Sequence, residues 1–86
     1  MDPEATQLRL VKAFLARDWP EVLTAIDDLK NWIQRGGFAP KIYEGPAAAL
    51  DALYKARAMV IVLKDGDRLQ EMVGQLVHAT EPATHA

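Results

Sequence analysis

Cysteine and serine are both missing from this 86-residue chain, and histidine occurs only at His78 and His85. The lack of cysteine excludes a disulfide scaffold, a thiolate metal site and a cysteine nucleophile, and leaves a cytoplasmic address as the default expectation. Four threonines are the only aliphatic hydroxyls, so nucleophilic chemistry has little to draw on. Neither histidine stands where a general base is needed. On a helical wheel His78 falls opposite Leu76 and beside Glu71, and His85 belongs to a tail without periodicity. A metal site from His78, Glu81 and His85 would require that tail to fold on binding. Asp27 and Asp28 are adjacent, and neighbours on a helix diverge by about 100°, so they do not converge as a carboxylate pair. No catalytic residue, metal or cofactor is expected, and the chain does not read as an enzyme.

Long apolar runs are missing too. The longest, "AMVIVL" from Ala58 to Leu63, is far short of the roughly 20 residues of a membrane-spanning helix. The acidic start "MDPEATQLRL" has the features of neither a secretory signal nor a transit peptide. A soluble, cytoplasmic chain with no membrane span is expected. Ten basic residues against twelve acidic ones give a formal charge of −2, without the basic excess on which nucleic-acid binding rests. Phosphate-binding signatures are absent: the glycine pair at Gly36 and Gly37 follows a helical pattern where a Walker loop would open one.

What the chain does have is helical periodicity in a composition that is half apolar, enough for one modest core without staples. The expectation is a single helical domain over residues 1–79 and a disordered tail over 80–86. Asp2 before Pro3 caps a first helix running to about Arg17, with Leu8, Leu10, Val11, Phe14 and Leu15 on one arc. Asp18, with Glu21 three residues on, opens a second helix whose core face carries Trp19, Val22, Leu23, Ala25, Ile26, Leu29, Trp32 and Ile33. Gly36 or Gly37 ends it in the left-handed conformation, with Phe38 folding back as in a Schellman motif, and Pro40 blocks resumption. Residues 39–45 read as a loop. A third helix starts at Pro46 and is apolar nearly all round, with Asp51 and Lys55 as an i, i+4 pair. Its end, "MVIVL", also suits a strand, because β-branched residues dominate there. "KDGD" (64–67) then predicts a break, with Gly66 as the stop and Asp67 and Gln70 as the capping box of a fourth helix carrying Leu69, Met72, Val73, Leu76 and Val77. The expected fold is all-α, a small bundle of four helices arranged as two helical hairpins. "LARDWPEVLTAI" resembles the helix junction of tetratricopeptide-type repeats, but the full repeat pattern is absent and three copies do not fit, so no family is assigned.

A helix that is apolar all round needs neighbours on several sides, and this short chain has few to offer. The function expected is therefore a non-catalytic protein–protein interaction or adaptor module, self-associating as a homodimer through the third helix. Candidate contact residues are the aromatic and apolar group Trp32, Phe38, Ile42 and Tyr43. Arg57 and Lys64, seven residues apart within an apolar arc, join them: either Arg57 snorkels to the core edge or pairs with an acid of the first two helices, or both line an interface and meet an acidic partner. Two alternatives are a small regulator touching nucleic acid through Arg9, Lys12, Arg17 and Lys41, and a bundle holding an apolar small molecule between its helices.

Overall fold

The structure, a computed structural model, describes residues 1–80 and the side chains of 1–77. The expected tail from 81 onward, His85 and the side chain of His78 lie outside the described residues. Three helices account for nearly all of what is described: α1 (Pro3–Leu15), α2 (Trp19–Gln34) and α3 (Pro46–Thr80). The chain is all-α, with no strand among the described residues, and "MVIVL" is helical. Among the described residues no helix is long and apolar enough to cross a membrane.

Each start follows from the residues around it. The Asp2 carboxylate accepts from the backbone N–H groups of Glu4 and Ala5 at 3.0 and 3.2 Å, with Pro3 in the first turn where no donor is needed. At α2 the Asp18 carboxylate accepts from the Glu21 N–H at 3.4 Å. The Glu21 side chain does not complete the box and turns to Arg9 of α1 instead.

The ends of α1 and α2 share one construction. After α1, the N–H of Arg17 donates to Phe14 O and that of Asp18 to Ala13 O. After α2, the N–H of Gly36 donates to Ile33 O and that of Gly37 to Trp32 O. Both are Schellman closures, which require one left-handed residue. Gly36 meets this with φ 94° at no steric cost, whereas Arg17, with φ 56°, carries the strain of a side chain in that conformation. The first helix thus ends two residues before the expected Arg17, because Arg17 is its left-handed closure.

Helix α2 is the centre of the molecule. It packs against α1 on one side and α3 on the other, while α1 and α3 make no direct packing contact. Val22, Ala25, Ile26 and Leu29 are wholly buried, Trp19 and Ile33 nearly so, and Ala49, Leu53 and Val60 of α3 complete the core with Ala13 of α1. Two expectations fail here. Most of the large apolar arc of α1 is not its buried face: Pro3, Thr6 and Ala13 are buried and Leu10 partly so, Phe14 lies against Trp19 at the edge, and Leu8, Val11 and Leu15 face outward. The buried positions of α1 are mostly small residues, and most of its larger apolar side chains are left on the outside.

The second failure is the helix count. There are not four helices in two hairpins but one hairpin, α1–α2, and a single 35-residue α3 that runs through "KDGD" without a break. A glycine inside a helix costs only about 1 kcal/mol relative to alanine, too little to force a stop where the flanking residues favour continuation. Asp67, read as a cap, is engaged elsewhere: its carboxylate accepts from Trp19 Nε1 at 2.7 Å and pairs with the Arg17 guanidinium. Continuing the helix puts Asp67 seven residues after the buried Val60, on the same face. Beyond it α3 runs on past the hairpin, and the molecule is long, 64 Å by 19 Å by 17 Å.

Two substitutions check this arrangement. Leu29→Ala should cost about 2–5 kcal/mol, measured by urea or thermal denaturation, since it opens a cavity in the one shared core. Gly66→Ala should raise helix content and stability by about 0.5–1 kcal/mol in circular dichroism melts at high dilution, because an added methyl meets nothing within 4 Å. Were Gly66 a left-handed stop, the same change would be destabilising.

Candidate functional site

The loop after α2 is tied down from both sides. The N–H of Lys41 donates to Glu4 Oε1 at 2.6 Å, the Tyr43 hydroxyl to Gln7 Oε1 at 2.9 Å, and Pro40 is fully buried. Partial burial pushes the Tyr43 phenol above its ordinary pKa. Trp32 donates its indole N–H to the carbonyl of Phe38 at 2.9 Å, and the two rings meet edge to face at 5.9 Å. Gly37 sits under that indole so closely that a Cβ would overlap the ring. The glycine pair therefore has two separate causes, backbone conformation at Gly36 and ring clearance at Gly37.

The candidate residues divide. Trp32 and Tyr43 are half-buried and their polar atoms are bonded within the fold, so they chiefly close the core. Phe38 and Ile42, at 67% and 73% exposure, present apolar surface outward. Arg57 lies 3.3 Å from Asp27 of α2, half-buried at the α2–α3 junction, while Lys64 is exposed. Among the described residues no hydrogen bond or ion pair links Arg57 or Lys64 to the loop, so the two groups are not brought together. Tyr54 is held near them in sequence by Gln34, which donates to its hydroxyl at 3.2 Å, and by Lys30 Nζ, 4.2 Å from its ring centroid.

Two basic residues of the amino-terminal half, Arg9 and Arg17, are paired with acids. Arg9 bridges Glu21 and Asp28 across the hairpin: Nη2 donates to Asp28 at 2.7 Å, while Nε, 2.5 Å from Glu21, is out of line for a hydrogen bond. The bond to Asp28 raises the pKa of Arg9. Arg17 pairs with Asp67 and stacks 5.7 Å over Trp19, whose ring meets Phe14 edge to face. Asp67 is thus the point where the hairpin turn holds α3. Nothing local marks it, because Arg17 and Trp19 are 50 and 48 residues away in sequence.

The surface that stands out is the outer side of α3. Met59, Val62, Leu69 and Val73 are each 57–69% exposed, with Met72, Leu76 and Val77 in the same range or close to it. The apolar periodicity of residues 69–77 was expected to mark the core face of a fourth helix, but it faces outward on the projecting half of α3. Its signal was in the sequence, since Met59, Val62, Gly66, Leu69 and Val73 are spaced 3, 4, 3 and 4, but the expected break at Gly66 hid it. No group of histidine, aspartate and glutamate side chains able to hold a metal ion occurs among the described residues. No family model matches this chain, and neither does any curated protein or solved structure.

Hydrogen bonds from Trp19 and Arg17 hold the Asp67 carboxyl below its ordinary pKa. A group whose pKa is lower folded than unfolded adds stability that is whole above the unfolded value and is lost as pH falls through the folded one. Asp67→Asn should therefore lower the melting temperature near neutral pH, and that deficit should vanish in acid below the carboxylate range. A deficit independent of pH would show that the charge of Asp67 is not what holds α3.

Proposed function

We propose that this protein is a non-catalytic interaction module that works by association, and that its first partner is a second copy of itself, met through α3. One observation carries this reading: α3 continues beyond the hairpin as an exposed, regularly spaced apolar surface. Single exposed apolar side chains are ordinary, but contiguous apolar surface on a soluble domain marks an interaction site. The dimensions agree. A compact chain of 86 residues has a radius of gyration of about 12 Å, whereas this one measures 18.1 Å. Its accessible surface of 6040 Å² exceeds by about 1,000 Å² the roughly 5,000 Å² of a compact monomer of 9.5 kDa. That surplus is comparable to the 800 Å² or so that one partner contributes to a standard interface.

Sedimentation equilibrium tests the proposal. The mass should rise with concentration toward twice the 9.5 kDa of one chain. A mass fixed at one chain over the whole accessible concentration range would refute self-association.

A further inference from the structure

Resting on that reading, we infer that two copies pair antiparallel along one seam of α3, with Gly66 of each chain receiving Leu69 of the other. Helix α3 has two apolar faces. Ala49, Leu53, Ala56, Val60 and Leu63 turn toward α2, and Asp67 ends that row at Trp19. Met59, Val62, Gly66, Leu69 and Val73 form the second row, about 120° round the helix at 100° per residue. No member of it is covered by the hairpin: the four side chains are more than half exposed, and a Cβ at Gly66 would meet open space.

Spacing of 3, 4, 3 and 4 is the a/d repeat that keeps one stripe of a helix against a neighbouring helix. The stripe spans both sides of the hairpin's last contact at Asp67, so a second α3 can lie along it without displacing α1 or α2. The occupant is a second copy because the stripe is self-complementary in one orientation. Pairing residues whose numbers add to 135 sets Val62 against Val73 and Gly66 against Leu69, twice over by symmetry. A leucine then fills each space that a glycine leaves, which is how facing core positions reach native density. The parallel arrangement sets Gly66 against Gly66 and leaves that layer empty. It also sets Val62 against Val62 at a d position, where parallel dimers favour leucine. Antiparallel helices have opposed dipoles as well, and the two hairpins end up at opposite ends of the pair.

The absence of cysteine makes single-cysteine cross-linking unambiguous. A disulfide needs Cβ atoms about 4 Å apart. In the antiparallel seam Val62 faces Val73 of the other copy, whereas Val73 and its own counterpart are offset by 11 residues, about 16 Å. Under mild copper–phenanthroline oxidation, a mixture of Val62→Cys and differently tagged Val73→Cys chains should give the mixed covalent dimer at least tenfold over either homodimer. Preferential Val73→Cys homodimers would overturn the orientation. Leu69→Lys, beyond the last contact with the hairpin, should return the protein to one-chain mass with its thermal melt at high dilution unchanged. If the wild type is dimeric by sedimentation and Leu69→Lys remains so, the seam is wrong while self-association stands. A monomeric wild type removes both.

Discussion

Helix α2 is the element on which the rest depends, because α1 and α3 touch it and not each other. A helix placed between two others must be apolar over about half its circumference, and α2 is so from Trp19 to Ile33. Its remaining polar side anchors the neighbours through charge, Asp28 and Glu21 to Arg9 of α1 and Asp27 to Arg57 of α3. These pairs are partly solvated and contribute little energy each. Their role is to set the rotation and register of helices whose apolar contact alone would allow sliding.

Both ends of α2 are closed by aromatic rings that reach a polar partner outside the helix. At the amino end Trp19 donates to Asp67, and at the carboxyl end Trp32 donates to the carbonyl of Phe38. An indole offers a large apolar surface with a single donor at its rim, which suits an edge where core meets water. The left-handed Arg17 belongs to the same device. The strain of its backbone is held in place by the pairing of its guanidinium with Asp67, so the hairpin turn and the direction of α3 are fixed together.

One consequence of this economy is that a three-helix core cannot cover all the apolar surface the chain carries. The outer row of α3, the outward face of α1 at Leu8, Val11 and Leu15, and the loop residues Phe38 and Ile42 all stay exposed. They are not equivalent. The α1 and loop residues are short patches on a packed body, whereas the α3 row is long, straight and periodic. That geometry is what makes it suited to another helix.

From residues alone, the all-α class, the starts at Asp2, Asp18 and Pro46, a left-handed closure within the Gly36–Gly37 pair and the buried face of α2 were legible, because capping, proline placement and a strong amphipathic period act within a few residues. The Asp51–Lys55 pair was legible for the same reason. The helix count and the inward face of α1 were not. Whether Gly66 stops a helix is a balance of about 1 kcal/mol that distant groups decide, here the indole of Trp19 and the guanidinium of Arg17 drawing Asp67 out of a capping role. Likewise α1 carries both a small-residue face and a large apolar arc, and only its packing against α2 chose the small one. Local chemistry determined which segments are helical; long-range contacts decided that α3 runs on past Gly66 and which of its faces remains open.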